Sequence, residues 1–556
     1  MPGVGLLRVR GATFLRRAPS PRRPTASSGG IRHELRADHA VSSASPPVTT
    51  PTASARGVAA TPSPSPPPAA RRRLGEYLPL AAVLLLQAVA SLRLHNSAFQ
   101  DEALYLYYGH WTIDSWLHGV EVYGNPGAWF TGAPQLYPVL AALLDGVGGL
   151  EAARLFSTLC MLSATVAVHW TANSLFGRPG QVRVGVFAAL LFAVSGPVLV
   201  LTHFATYDAP SYAAVAWALA VGVWVARGDG ERSRWWAVLV GVLLALSVLL
   251  KYASAIDAPF VLLAVAASTL GDAAGRWRGL RTSLVAGSAA VAVLALSAAT
   301  WARPLVQGVV DSTIQRQSLA PETTAQLLGR VVDDAGPVIA LGLLGGLVLL
   351  RRQPALGAVL LVASVAAPLY QVHTGESVSL HKTVVLGLLF GAPLAGRLCA
   401  VLVDRWWAVP LVAVALLGSL LHGASVSERI FTSWPDTAPL ARALAPIVEG
   451  TPGIRIAGEN PEPLQYALRE QTQPEQWVST YDGAFRYEGL SDLPAFERAL
   501  SERHLGVVFL DGASGIGRQL QPRMSDLGYT QTAVVRTPDG GHEWMVWQPS
   551  GGGPAD

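Results

Sequence analysis

An acidic pair, Asp101-Glu102, opens the segment HNSAFQDEALYLYYGHW (residues 95–111), just beyond the first long apolar run. On a helix, Asp101, Tyr105 and Tyr108 share one face at i, i+4 and i+7. A carboxylate beside aromatics at a membrane mouth suits a general base that deprotonates an acceptor hydroxyl. The same pair also suits the acid-rich first turn of a surface helix. Asp208, in LTHFATYDAPSYAAVAWALAV, stands where one apolar run ends and the next begins. Ionisable residues at membrane depth face a cavity or a partner, although Asp followed by Ala-Pro equally fits a helix start.

Lysine usage is the second signal. Of 41 Lys and Arg residues only two are lysines: Lys251 in SVLLKYASAID and Lys382 in HTGESVSLHKTVVLG, the latter accompanied by His373, Glu376 and His381. Compact ammonium groups suit an anionic phosphate; lysines that snorkel from helix ends are the alternative. Together these residues fit one reaction. A polyprenyl-phosphate sugar lies in the outer leaflet, Lys and His hold its phosphate, and a carboxylate takes the proton of the attacking hydroxyl. Phosphate leaves readily, so stabilising its developing charge suffices, without the second carboxylate that glycoside hydrolysis demands.

The elements that must position these groups are membrane helices. The chain is 51% hydrophobic and only 14% charged, against roughly 25% charged residues in soluble domains. The charge is missing in blocks, as successive bilayer crossings require. The expectation is a polytopic α-helical membrane protein of about 11 spans (a count of apolar runs), N-terminus inside and C-terminus outside, with a small external α/β domain. Residues 1–73, rich in Arg, Pro, Ser and Ala, read as a disordered basic cytoplasmic tail. Residues 74–425 form the transmembrane domain, with a catalytic first external loop at 95–133. The short apolar segment 134–149 reads as interfacial or re-entrant, because counting it as a span would turn the later Arg-rich loops outward.

Composition changes near residue 430. Strand-like pieces (GIRIAGE, QWVSTY, LGVVFLD, TAVVRT, EWMVWQ) alternate with helical ones, which predicts an extracytoplasmic α/β domain over 430–550. The net charge of +4 resides in the tail and in inter-span loops, where it sets topology, so no nucleic-acid surface is expected. Cys160 and Cys399 fall within apolar runs and are expected as buried thiols. No Cys/His cluster has zinc spacing, so no cofactor is expected, and a divalent metal finds no support in the sequence.

The stretches FQDEALYLYYGH, GAPQLYPVLAALLDGVGGLEAARLFSTL, THFATYDAP and LLKYASAIDAP resemble the C-type membrane glycosyltransferases, specifically the family of protein O-mannosyltransferases and the lipid A aminoarabinose transferase. The resemblance implies an inverting enzyme of the cell membrane that uses a polyprenyl-phosphate sugar and acts on a glycan, lipid or protein acceptor. It implies Asp101 and Glu102 as catalytic carboxylates in the first external loop, Asp101 as the base, and Asp208 as the second acidic position. The family commonly carries a Lys-Pro pair where this chain has Gly132-Ala133-Pro134-Gln135; Lys251, or Lys382 with His381, would then replace it. Two other functional classes remain: a lipid-linked-sugar flippase or transporter, and a non-catalytic envelope-glycan-binding membrane protein. Against transport, no internal repeat pairs the two halves.

Overall fold

A computed structural model describes residues 69–122, 130–177, 182–228, 234–272, 275–301, 322–480 and 485–551, with a few positions between 306 and 310. The expected tail lies outside the described residues up to position 68, as does part of the expected loop at 95–133.

The described chain is a helical bundle followed by a small sheet. Helices α1 (Ala69–Ser91), α2 (Gln100–His118), α3 (Tyr137–Phe176), α4 (Arg183–Ala193), α5 (Gly196–Thr202), α6 (Asp208–Arg227), α7 (Arg234–Leu250), α8 (Ala258–Ala267) and α9 (Arg276–Ala299) precede α10 (Thr324–Leu350), α11 (Pro354–His373), α12 (Leu380–Val403) and α13 (Val409–Phe431). Six described helices are long and apolar enough to cross a membrane, and the pair α4–α5, bent by 77°, makes a seventh if it is one span. The other expected spans fall on three shorter apolar helices and on the second part of α3.

Segment 134–149 starts α3, a 40-residue run interrupted at Gly148-Gly149, where Gly149 has φ +68°. That left-handed conformation favours glycine, so the sequence itself places the break between the segment and the longer helix after it. Burial separates central from peripheral helices. In α6 and α12 the most apolar 18-residue stretch is 83% buried, against 22% in α9 and in the helix ending at Phe431. The two central helices are those that begin with Asp208 and with Leu380-His381-Lys382. The main apolar core forms around them. Neither cysteine is in a disulfide; Cys399 is buried, whereas Cys160, expected to be buried, is only half-buried.

Beyond α13, helix α14 (Ala438–Gly450) leads into a five-stranded sheet. Strands β1 (Ile456–Gly458), β2 (Trp477–Ser479) and β3 (Val507–Leu510) run parallel, while β4 (Tyr529–Arg536) and β5 (Glu543–Pro549) close the sheet antiparallel, in the order β2-β1-β3-β5-β4. All five strands fall on the five strand-like sequence pieces. The parallel strands are buried along most of their length, as expected where helices cover both faces. Those covering helices include α15 (Glu462–Ala467), α16 (Asp492–Ser501) and α17 (Gly515–Leu520).

Candidate active site

Helix α2 places the acidic pair. Phe99 precedes the helix with extended backbone, and Phe99 N–H donates to Glu102 Oε2 at 2.9 Å. Glu102 is fully buried, and the guanidinium of the equally buried Arg154 grips it at 2.9 and 2.8 Å. Ala205 N–H adds a fourth bond at 2.8 Å. Every favourable direction on this carboxylate is occupied. The two acids therefore point into different surroundings, and Glu102 ties α2, α3 and the segment before α6 together rather than meeting the lysines.

Asp101 turns the other way. Lys382 Nζ donates to Asp101 Oδ2 at 2.5 Å and lies 3.5 Å from Asp208 Oδ2. Asp208 Oδ1 is in turn bound by Lys251 Nζ and, at 3.2 Å, by the Tyr212 hydroxyl. Lys251 also donates to Tyr212 at 3.0 Å. The result is a chain of alternating charge, Asp101–Lys382–Asp208–Lys251, drawn from four separate parts of the sequence. Its side chains are 32%, 4%, 0% and 5% exposed respectively. Only Asp101 is open.

Asp208 makes no cap hydrogen bond at the start of α6; its carboxylate serves the lysines. Neither lysine snorkels, since both are buried and paired. His381 makes no hydrogen bond among the described residues but lies within electrostatic reach of all four charges. His373, at the end of α11, is exposed and has no ion pair or hydrogen bond there, so it does not join the group. Tyr105 packs on Phe130, Tyr137 and Tyr207, with centroids 5.2, 5.9 and 4.7 Å away. It forms part of an aromatic wall, together with Tyr108.

Lys251 is positioned by a backbone clamp. Tyr252 N–H donates to Thr131 O at 2.6 Å and Ala133 N–H to Leu249 O at 2.7 Å. Between these bonds sits Gly132, where a Cβ would lie 1.9 Å from Leu250 O. Thr131 Oγ1 also meets the Tyr207 hydroxyl at 2.6 Å. The Gly132–Gln135 stretch that departs from the Lys-Pro pattern thus lies directly against the segment carrying Lys251.

Two residues beside the candidate site escaped sequence reasoning. Arg154 is a lone cation in the apolar run LEAARLFSTL, and its cost at membrane depth was a readable sign of a buried acidic partner. Asp145 gathers His110 Nε2 at 2.5 Å, Arg469 Nη2 at 3.4 Å and the Tyr466 hydroxyl. Burial and the adjacent Asp145 push the Tyr466 phenol above its usual range, so it remains a donor. Nothing local in the sequence announces a contact between positions this far apart.

Known proteins share this architecture. Residues 136–301 match the family model of dolichyl-phosphate-mannose-protein mannosyltransferase. No curated relative matches the sequence. ArnT from Cupriavidus metallidurans is 17% identical in its apo structure, with a TM-score of 0.57 over 85% of this chain and 98% of that one. The same protein bound to undecaprenyl phosphate superposes at TM-score 0.58, over 86% and 99%. The archaeal oligosaccharyltransferase AglB from Archaeoglobus fulgidus, in complex with an inhibitory peptide and a dolichol-phosphate, is 14% identical, with a TM-score of 0.54 over 85% and 74%. The chain has the fold of the C-type membrane glycosyltransferases. Within this glycosyltransferase fold the family match includes Asp208 and Lys251 but stops short of both Asp101 and Lys382, so the open end of the charge chain is defined by the geometry described above. Among the described residues no three His, Cys, Asp or Glu side chains are grouped to hold a metal ion.

Proposed function

We propose that the chain is an inverting glycosyltransferase that moves a sugar from a polyprenyl-phosphate donor to an acceptor hydroxyl at the outer face of the cell membrane. The observation that carries this reading is the open carboxylate of Asp101 set against buried Lys382 at 2.5 Å. In a single displacement the acceptor oxygen bonds to the anomeric carbon and its proton passes to Asp101. The bond from that carbon to the phosphate oxygen breaks, with its electron pair leaving on the phosphate. One displacement inverts the configuration. The ammonium of Lys382 stabilises the charge that develops on the leaving oxygen, and His381 lines the same place. Asp208 and Lys251, both closed off, hold Lys382 from behind.

The fold supports the donor class, since one neighbour binds undecaprenyl phosphate and another a dolichol-phosphate. Arg-bearing loops on the opposite side from Asp101 support an extracytoplasmic site and C-terminal domain. The acceptor is the hydroxyl of a glycan, a lipid or a protein. The test is transfer from a supplied polyprenyl-phosphate sugar by the purified protein. Asp101→Asn is expected to lower the rate by about 10²–10⁴-fold, the range for loss of a positioned base. Undiminished transfer by this variant would sink the assignment of the base, and flipping of the lipid-linked sugar without transfer would favour the transporter.

A further inference from the structure

The charge chain is balanced before any substrate arrives: two ammonium groups and two carboxylates, all within a largely closed site. A polyprenyl-phosphate sugar is a phosphodiester and brings one more negative charge. Placing it beside Lys382 sets it against the Asp101 carboxylate already bound there, and like charges at such range repel strongly where water is scarce. One anion has to yield.

Asp208 cannot be the one. It is fully buried, stands at the first residue of a central helix, and is held by Lys251 and Tyr212. Asp101 can move: its side chain is 32% exposed, and Lys382 is its one ion-pair partner among the described residues. It is also the exposed member of the pair, Lys382 being only 4% exposed. An anion approaching from the open side reaches Asp101 first. An Asp101 oxygen engaged with an ammonium is, in turn, not free to take a proton from a hydroxyl.

We infer that Asp101 is the resting counter-ion of Lys382, and that the donor's phosphate releases the base for its own reaction by displacing Asp101 from that ammonium. This rests on the donor class proposed above. The displaced carboxylate is then free to serve the face of the anomeric carbon opposite the phosphate, where an inverting attack requires the acceptor hydroxyl to lose its proton. Donor binding then precedes productive acceptor binding, and an acceptor alone meets a base that is still occupied.

Equilibrium binding of radiolabelled polyprenyl phosphate to the full chain in lipid nanodiscs tests this, with uncharged polyprenol as control. Asp101→Asn, which removes the competing anion, should bind polyprenyl phosphate tighter than the wild type by about tenfold or more, with polyprenol binding unchanged. Asp101→Glu should bind like the wild type, and Lys382→Met should lose the preference for phosphate over polyprenol. If Asp101→Asn does not give a folded protein, Asp101→Ser carries the same expectation. Equal or weaker phosphate binding by the neutral variant, with the wild type binding normally, overturns the inference and leaves the donor class standing. A wild type and an Asn variant that both bind polyprenyl phosphate no better than polyprenol overturn the donor class itself, and the inference with it.

Discussion

Two adjacent acids, Asp101 and Glu102, end in opposite roles because one helical step turns their side chains by about 100°. Glu102 faces the bundle and Arg154; Asp101 faces the lysines. Their variants should separate accordingly. Arg154→Met strands a buried carboxylate and is expected to cost about 3–5 kcal/mol of stability, read by thermal or denaturant unfolding in micelles. The double variant Glu102→Gln with Arg154→Met should recover a good part of that loss, since it removes the uncompensated charge. Asp101→Asn should shift unfolding little, because its partner Lys382 retains Asp208, while transfer collapses. A variant of Asp101 that unfolds as readily as Arg154→Met would mean that both acids are scaffold.

At the scale of elements, the site depends on two short pieces of chain held backbone to backbone. Gly132→Ala drives a methyl group into Leu250 O, which must push residues 131–133 away from Lys251. A displacement of about 1 Å near the reacting groups costs up to about 10²-fold in rate, so transfer should fall by a factor between ten and a hundred. Gly146→Ala, in a helix with nothing within 4 Å, should leave transfer intact. An equal effect of both substitutions would remove the clamp from the account. The long apolar helices and all five main strands were legible in the sequence because span-length apolar runs and strand-like alternation each leave a local signal. The charge chain was legible only in its parts. Lys251 and Lys382 stood out by rarity and Asp208 by its position between apolar runs, but their mutual contact depends on how α6 and α12 pack. His373 shows the limit: it is near Lys382 in sequence, yet it ends a different helix and turns outward.

At the scale of the molecule, the sheet region is joined to the site-bearing helices through Asp145. The hydroxyl of Tyr466 and the guanidinium of Arg469 meet it from α15 and the residues that follow, and His110 meets it from α2. Tyr466→Phe combined with Arg469→Ala should therefore raise the rate of proteolytic cleavage between residues 432 and 461 by about tenfold, as a local opening of one to two kcal/mol would do. Unfolding of the helical part should stay where it is. A cleavage rate equal to that of the wild type would show that other contacts hold the sheet region in place.

A second junction acts at the same scale. Trp434 Nε1 donates to Ser97 O at 3.1 Å, and Thr437 N–H donates to Ser97 Oγ at 2.8 Å across 340 positions of sequence. Asn96 Nδ2 bonds Trp434 O at 2.8 Å, and Phe99 packs edge-on to the Trp434 ring. The entry to α2 is thus fastened by residues that follow the last apolar helix. A chain made from its N-terminus outward presents Asp101 early, gains Lys382 only 281 residues later, and fastens the loop after α13 has been made. During biosynthesis the charge chain proposed as the reaction centre is therefore among the last features to be completed, and a nascent chain halted at any earlier helix lacks it.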